Sequence, residues 1–210
     1  MIVDRIFKAT RAVANLVNPL DKTESTVREI LIPPQTVKLL VQTGARLGEK
    51  GLTVGSLGEI SLRVPGKQNK FVINTRGSEA GNLTGKDLCL MDTALGKTAG
   101  MQLAAAHSEW HKLVYTLTDA NSALLCQPPY SLMCAMRGRC PDAALWPEIQ
   151  PIPSLLDCAS NNDQEIAEKL KNYRHLLVQE VGLLVTGNSL TELLWNAEII
   201  ERFCQISVLN

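Results

Sequence analysis

The sequence predicts an α/β fold in three layers, an α/β/α sandwich with helices on both faces of one mixed sheet. Helical and strand-like patterns interleave along the chain, which is typical of a sheet covered by helices. Residues 59–64 and 71–74 flank a turn at 65–69, and this pattern predicts a hairpin. A hairpin contributes antiparallel strands, so the sheet is not purely parallel.

The composition is that of an ordinary soluble domain. The chain has 210 residues, of which 45% are apolar and 20% are charged, enough for one sizeable core. The 21 basic and 21 acidic side chains give a net charge of zero, so the chain lacks the excess of positive charge that binds nucleic acid. No run of about 18 apolar residues is present, so we expect no membrane span.

The six cysteines favour a reducing compartment. No two of them have the C-x-x-C spacing of a zinc ribbon or a thioredoxin motif. Most lie in apolar runs, as Cys89 and Cys134 do. We therefore expect buried, reduced thiols in a cytoplasmic protein.

Residues 1–34 are predicted to form an N-terminal helix and a connecting segment, and residues 35–210 the main domain. Mixed charges through the first 17 residues favour a packing helix over a signal peptide or a membrane-surface helix. The side chains at helical spacing are Ile2, Ile6, Thr10, Val13 and Val17. Three prolines then mark the connecting segment at 18–34.

Helices and strands alternate through the main domain. Residues 59–64 alternate polar and apolar side chains, as in a half-buried strand. Ser189 and Glu192 have the spacing of a capping box before the last helix. The predicted helices are 35–49, 104–117, 130–136, 160–171 and about 189–206. The predicted strands are 59–64, 71–74, 87–91, 123–126, 176–178 and 183–185.

Four stretches, in order, resemble the class II aldolase/adducin family. They are residues 47–63 (LGEKGLTVGSLGEISLR), 72–77 with 82–88, 108–121 beginning Ser-Glu-Trp, and 165–198 ending Glu-Leu-Leu-Trp-Asn-Ala-Glu. Each motif alone is weak, but four at fitting separations are specific. The resemblance covers roughly residues 35 to 207 and implies a largely antiparallel central sheet.

The resemblance also implies a reaction and a set of site residues. Family enzymes make or break a carbon–carbon bond next to a carbonyl, with a metal ion that stabilises an enediolate. Glu109 falls on the family's acid/base glutamate. Two positions depart from the pattern, because Glu59 stands in place of an asparagine and Arg76 in place of a proline. The substrate- and phosphate-binding positions correspond to Gly55, Ser56, Gly58, Thr75, Arg76, Gly77 and Ser108.

The family's metal ligands have no counterpart in this chain. Two strand histidines correspond to Leu125 and Gln127, and a third, before a glycine, corresponds to Val181. A shift of one residue would substitute Cys126 and Pro128. A replacement set is conceivable from Cys126, His111, His107 and Glu109, but zinc needs three or four converging ligands. We therefore expect no metal cofactor.

The leading hypothesis is a class II aldolase-like protein without the metal or the aldol reaction, acting as a binding or assembly module. The alternative is an aldehyde-lyase-type enzyme for a sugar phosphate or a related hydroxy-carbonyl compound. It would use Glu109 as the base and Arg76 or Lys97 as the electrophile. A non-catalytic sensor of a carbohydrate or anion is a third hypothesis. The resemblance further implies a homo-oligomer, commonly a tetramer.

Overall fold

A computed structural model describes residues 32–97 and 103–210, so the predicted N-terminal helix lies outside the described residues. The five α-helices of the described chain are α1 Pro34–Glu49, α2 Ser108–Leu117, α3 Pro129–Met136, α4 Asp163–Lys169 and α5 Leu190–Leu209. The eight strands are β1 Glu59–Arg63, β2 Lys70–Asn74, β3 Leu88–Asp92, β4 Gly96–Lys97, β5 Ser122–Cys126, β6 Leu156–Ala159, β7 His175–Val178 and β8 Gly182–Gly187.

One eight-stranded sheet in the order β4-β3-β2-β1-β5-β8-β7-β6 organises the molecule. The β6–β7 pair is parallel, and the remaining neighbours are antiparallel. The sheet is therefore mixed and largely antiparallel, as predicted. The hairpin of β1 and β2 is also confirmed, with Ser61 opposite Ile73.

Two apolar clusters, one on each face of the sheet, complete the three layers. Side chains of α1, α3 and α5 pack on one face around Leu40, Leu124 and Ile200. Side chains of α2 and α4 pack on the other face around Leu125 and Ile166. Consecutive residues Leu124 and Leu125 thus point to opposite faces, as strand geometry requires.

Several predicted boundaries move for identifiable reasons. The helix expected at 104–117 begins only at Ser108, because residues 103–105 run beside the end of β2 and hydrogen-bond to it. The helix expected at 160–171 begins at Asp163, where the Asn162 side chain accepts from Gln164 N and Glu165 N. The short strands β4 and β6 were not predicted.

Candidate functional site

The side of β1 that was expected to be the polar face of a half-buried strand is instead covered by helix α2. Glu59 and Ser61 are buried on this side. Facing them are His107, which immediately precedes α2, and His111 and Tyr115 on α2; the three are spaced four residues apart and lie on one side of the helix. We call these five residues the polar cluster.

Glu59 and His107 form the strongest contact of the polar cluster. Glu59 Oε1 lies 2.8 Å from His107 Nδ1, and the His107 backbone N–H donates to both carboxylate oxygens at 3.1 Å. Burial by itself raises the pKa of Glu59, but the hydrogen bonds with His107 and the electrostatic interactions with His111 and His107 outweigh it and leave that pKa below its usual value. Glu59 is therefore held as a carboxylate, although its side chain is only 7% exposed.

His111 lies between this carboxylate and two hydroxyl groups. His111 Nδ1 lies 2.7 Å from Ser61 Oγ, which lies 2.7 Å from Tyr115 Oη. Complete burial lowers the pKa of His111 to about 4, so the ring is neutral at pH 7. With its proton on Nε2, His111 accepts from Ser61 at Nδ1 and directs Nε2–H towards Glu59 Oε2, 3.7 Å away. That separation exceeds hydrogen-bond distance, and Nε2 has no hydrogen-bond partner among residues 32–97 and 103–210.

Arg63 fixes the far end of the polar cluster. Its guanidinium lies 4.8 Å from the centre of the Tyr115 ring, within the range of a cation–π contact. Its nitrogens donate to backbone carbonyls of Gln68, Tyr115, Thr118 and Ala120. Arg63 therefore holds α2 against β1.

Three chain segments converge at the Glu59 end of this cluster: residues 54–59, 74–78 and 103–109. Asn74 joins the first two, because its side-chain amide donates to Gly58 O and Ser78 Oγ while its Oδ1 accepts from Ile60 N. Ala105 N donates to Asn74 O and adds the third segment. Gly58 is required at this junction, since a β-carbon there would lie 2.5 Å from Thr53 Cγ2.

The phosphate-loop positions that the resemblance assigns lie around this junction. Gly58 and Thr75 are buried in it, and Ser108 is half-buried at the start of α2. The exposed positions form its outer rim, and they are Gly55, Ser56, Arg76 and Gly77. Gly55 and Gly77 have φ values of 54° and 81°, a backbone region that favours glycine.

Glu109 has a different environment from Glu59. Its side chain is 62% exposed, in the first turn of α2, and pairs with Lys112 Nζ at 3.2 Å. This is the setting of a solvated helix-start glutamate, which the helix dipole favours. Its role as an acid/base residue stays a prediction.

The positions that the resemblance assigns to metal ligands lie on or beside β5 and β8. Leu125 is opposite both Glu59 on β1 and Leu184 on β8, fully buried in the apolar cluster beneath α2. Val181 packs against the same cluster. Gln127, just beyond β5, has a buried Oε1 that finds no hydrogen-bond partner in the part of the chain that the structure describes. Two of the three positions thus offer no donor atom, and the set does not fit a zinc ion.

The replacement ligand set does not come together either. Cys126 points to the face of α1, α3 and α5, whereas His111 lies on the α2 face. Within residues 32–97 and 103–210, no group of three histidine, cysteine or acidic side chains is arranged to hold a metal ion.

Lys97, considered as an electrophile, lies at the wrong end of the sheet. The pairing runs from Lys97 through Met91 and Phe71 to Arg63. From Lys97 to Glu59 is therefore three strands across, about 14 Å, and four residues along, again about 14 Å. This backbone separation places Lys97 out of contact with Glu59.

From the sequence, Glu59 was noted only as a departure from the family pattern and His107 only as a conceivable metal ligand, and their pairing was missed. A signal was present in the period-two polar series of Glu59, Ser61 and Arg63, together with the histidines and tyrosine at a four-residue spacing. Those periodicities predict one polar strand face and one polar helix face, and two such faces can satisfy each other.

Comparison with known proteins agrees with this architecture. Residues 38–208 match the family model for the class II aldolase and adducin N-terminal domain. The chain belongs to that family.

Among characterised relatives, the chain is 23% identical over 181 residues to 3-oxo-tetronate 4-phosphate decarboxylase of Haemophilus influenzae, a match that covers 80% of this chain and 85% of the relative. It is 23% identical over 180 residues to methylthioribulose-1-phosphate dehydratase of Serratia proteamaculans, covering 80% and 86%. The structure resembles L-fuculose-1-phosphate aldolase from Thermus thermophilus, with a TM-score of 0.69, 20% identity and coverage of 83% and 93%. It also resembles a sugar-phosphate aldolase from Thermotoga maritima, with a TM-score of 0.70, 15% identity and coverage of 83% and 94%.

No helix within the described part of the chain is long and apolar enough to cross a membrane.

Proposed function

We propose that this class II aldolase-family protein works without a metal ion and without the aldol reaction, as a binding or assembly module. The observation that carries the proposal is Leu125, an apolar and fully buried side chain at the position of a metal ligand. Val181 likewise offers no donor atom. A zinc ion at this place would lack the nitrogen and sulfur ligands that its binding requires.

The environment of Glu59 supports the loss of phosphate recognition. At the start of α2, a phosphate group needs free backbone N–H donors. The His107 N–H is already donated to the Glu59 carboxylate. A second anion placed there would face charge repulsion at close range. The proposed ligand is therefore an uncharged carbohydrate, or an anion bound farther out on the rim near Arg76.

We also propose a cytoplasmic homo-oligomer, by analogy with the family. Exposed apolar side chains lie near the candidate site and offer a surface for a second copy. They are Val54, Leu57 and Leu103, which are 64%, 57% and 62% exposed. Light scattering after size-exclusion chromatography measures the mass directly, and a monomer at micromolar concentration would contradict this part of the proposal.

The enzymatic part is tested with the substrates of the relatives. The protein is incubated with and without added Zn²⁺ or Mn²⁺, together with fuculose 1-phosphate, methylthioribulose 1-phosphate and 3-oxo-tetronate 4-phosphate. A family enzyme purified in parallel is the positive control. We expect no metal-dependent turnover of any of the three. Metal-dependent cleavage, dehydration or decarboxylation would overturn the proposal.

A second function, metal-free proton transfer, is favoured by the geometry of Glu59 and His107. A carboxylate bonded to Nδ1 of an imidazole keeps the proton on that nitrogen and leaves Nε2 to exchange protons with a ligand. The His107 side chain is 33% exposed, so a ligand can reach it. The acid/base group of this alternative is then His107 rather than Glu109.

Deuterium exchange separates the two candidate bases. Unphosphorylated hydroxy-carbonyl compounds such as dihydroxyacetone are incubated with the protein in D₂O, and exchange of the carbon-bound protons is followed by NMR. If this alternative holds, His107→Gln abolishes the exchange and Glu109→Gln leaves it unchanged. Exchange no faster than the buffer control, or loss on Glu109→Gln alone, would rule it out.

A further inference from the structure

Two thiols far along the chain from the polar cluster lie almost within bonding distance. Cys140 Sγ and Cys158 Sγ are 3.0 Å apart, about 1 Å longer than the covalent disulfide bond of about 2.05 Å. Cys140 belongs to the segment between α3 and β6, and Cys158 lies in the edge strand β6. Both residues are half-buried, so a small oxidant can reach them.

Within the pair, Cys158 is the thiol that loses its proton more readily. A hydrogen bond from the Cys140 thiol lowers the pKa of Cys158 and outweighs burial and the Asp157 carboxylate, which raise it; the ammonium group of Lys169 adds to the lowering. That ammonium group lies 2.6 Å from Asp157 Oδ2, beside Cys158 in the chain. Since the thiolate is the attacking species, exchange begins at Cys158.

We propose that Cys140 and Cys158 are a redox-active pair that forms a disulfide by exchange with a low-molecular-weight disulfide such as oxidised glutathione. The Cys158 thiolate attacks one sulfur of the small disulfide, forms a mixed disulfide and releases one thiolate. Cys140 then gives its proton to solvent and attacks the Cys158 sulfur, which displaces the second thiolate. Two protein thiols are oxidised by two electrons, and the small disulfide is reduced to two thiols.

A second cysteine pair in the same region serves as an internal control. Cys134 and Cys204 hydrogen-bond to each other between α3 and α5, but both are buried. Access of the oxidant therefore distinguishes the pairs, because exchange requires that a sulfur be reached along the line of attack.

The proposed bond would fix the segment after α3 beside the β7–β8 turn. That segment packs on the β7–β8 turn at Gly138, where an added β-carbon would lie 2.7 Å from Gln179 Nε2. Gln179 N in turn donates to Ala159 O at the end of β6. Val181 follows on the same turn, so the disulfide would tether a neighbour of the position that corresponds to the third metal ligand.

The test treats the full-length protein with oxidised glutathione, blocks free thiols with iodoacetamide, and measures intact and peptide masses. We expect the wild type to lose two hydrogen atoms, to retain no glutathione and to yield a peptide linked through Cys140 and Cys158. The Cys140→Ser variant should keep one glutathione on Cys158, and Cys134→Ser should form the same link as the wild type. A wild-type protein that stays reduced, keeps glutathione or links other cysteines would overturn the proposal.

Thermal unfolding provides an independent measurement. Linking two residues that are 18 apart in sequence should raise the midpoint of unfolding of the oxidised protein by roughly 6 to 12 °C. Dithiothreitol should reverse the increase, and Cys140→Ser should show none. Equal midpoints for the oxidised and reduced wild type would contradict a bond that forms in the native geometry.

Discussion

Replacing Glu59 by alanine tests whether the polar cluster stabilises the fold. The change removes a buried carboxylate that accepts from the His107 backbone N–H and lies 2.8 Å from His107 Nδ1. Hydrogen bonds to a charged group contribute about 1.5 to 3 kcal/mol each. Two effects offset part of this loss. In the variant, water can reach the half-exposed His107, and the cost of burying the Glu59 carboxylate disappears. We expect a net loss of about 3 kcal/mol in the free energy of unfolding.

Glu109→Ala is the matched control, because it removes a glutamate two residues after His107 whose side chain is 62% exposed. An exposed ion pair contributes at most about 0.5 kcal/mol. At pH 7, urea unfolding followed by circular dichroism should separate the two variants clearly. For a chain of this size, about 3 kcal/mol corresponds to a fall of roughly 6 to 12 °C in the midpoint of thermal unfolding. Equal stabilities of the two variants would refute a structural role for the Glu59 contacts.

Two further predictions concern acid stability and close packing. Burial lowers the pKa of both His111 and His175 from 6.5 to about 4, so the unfolded chain takes up protons below pH 6.5 that the folded chain does not. Each histidine should therefore lower the free energy of unfolding by about 3 kcal/mol as the pH falls from 6.5 to 4. Urea titrations that give the same free energy of unfolding across that pH range would contradict this. Gly58→Ala should cost about 1 to 3 kcal/mol, because the new methyl group would lie 2.5 Å from Thr53 Cγ2. Gly85→Ala, whose methyl group meets nothing closer than 3.5 Å, is its control, and equal urea midpoints would show that the junction can relax.

Much of the sheet could be predicted from the sequence because the patterns that indicate it involve neighbouring residues. The strand at residues 59–64, the turn at 65–69 and the cap at Ser189 each depend on a few neighbouring residues, and all three are confirmed, although the polar side of the strand is buried rather than exposed. Strand β6 was missed because Leu156–Ala159 is short and contains no β-branched or aromatic residue. Its parallel pairing with β7 depends on contacts distant in sequence.

Only part of the candidate site could be predicted from the sequence, because its contacts also join residues that are distant in sequence. Gly58 and Thr75 could be placed near one another because the hairpin brings their segments together. The pairing of Glu59 with His107 spans 48 residues and depends on which face α2 presents to β1. The sequence pattern alone therefore showed Glu59 only as a replacement for an asparagine, whereas the fold gives it a hydrogen-bonding partner.

Metal analysis of the purified protein tests the central proposal most directly. The protein is expressed in medium supplemented with zinc, purified without chelators and analysed by inductively coupled plasma mass spectrometry, with a metal-binding family enzyme prepared in parallel. Because Leu125 and Val181 offer no donor atom, we predict only trace metal in this protein and stoichiometric metal in the control enzyme. One tightly bound zinc, manganese or iron ion per chain, removable by a chelator, would contradict the proposal of a metal-free site.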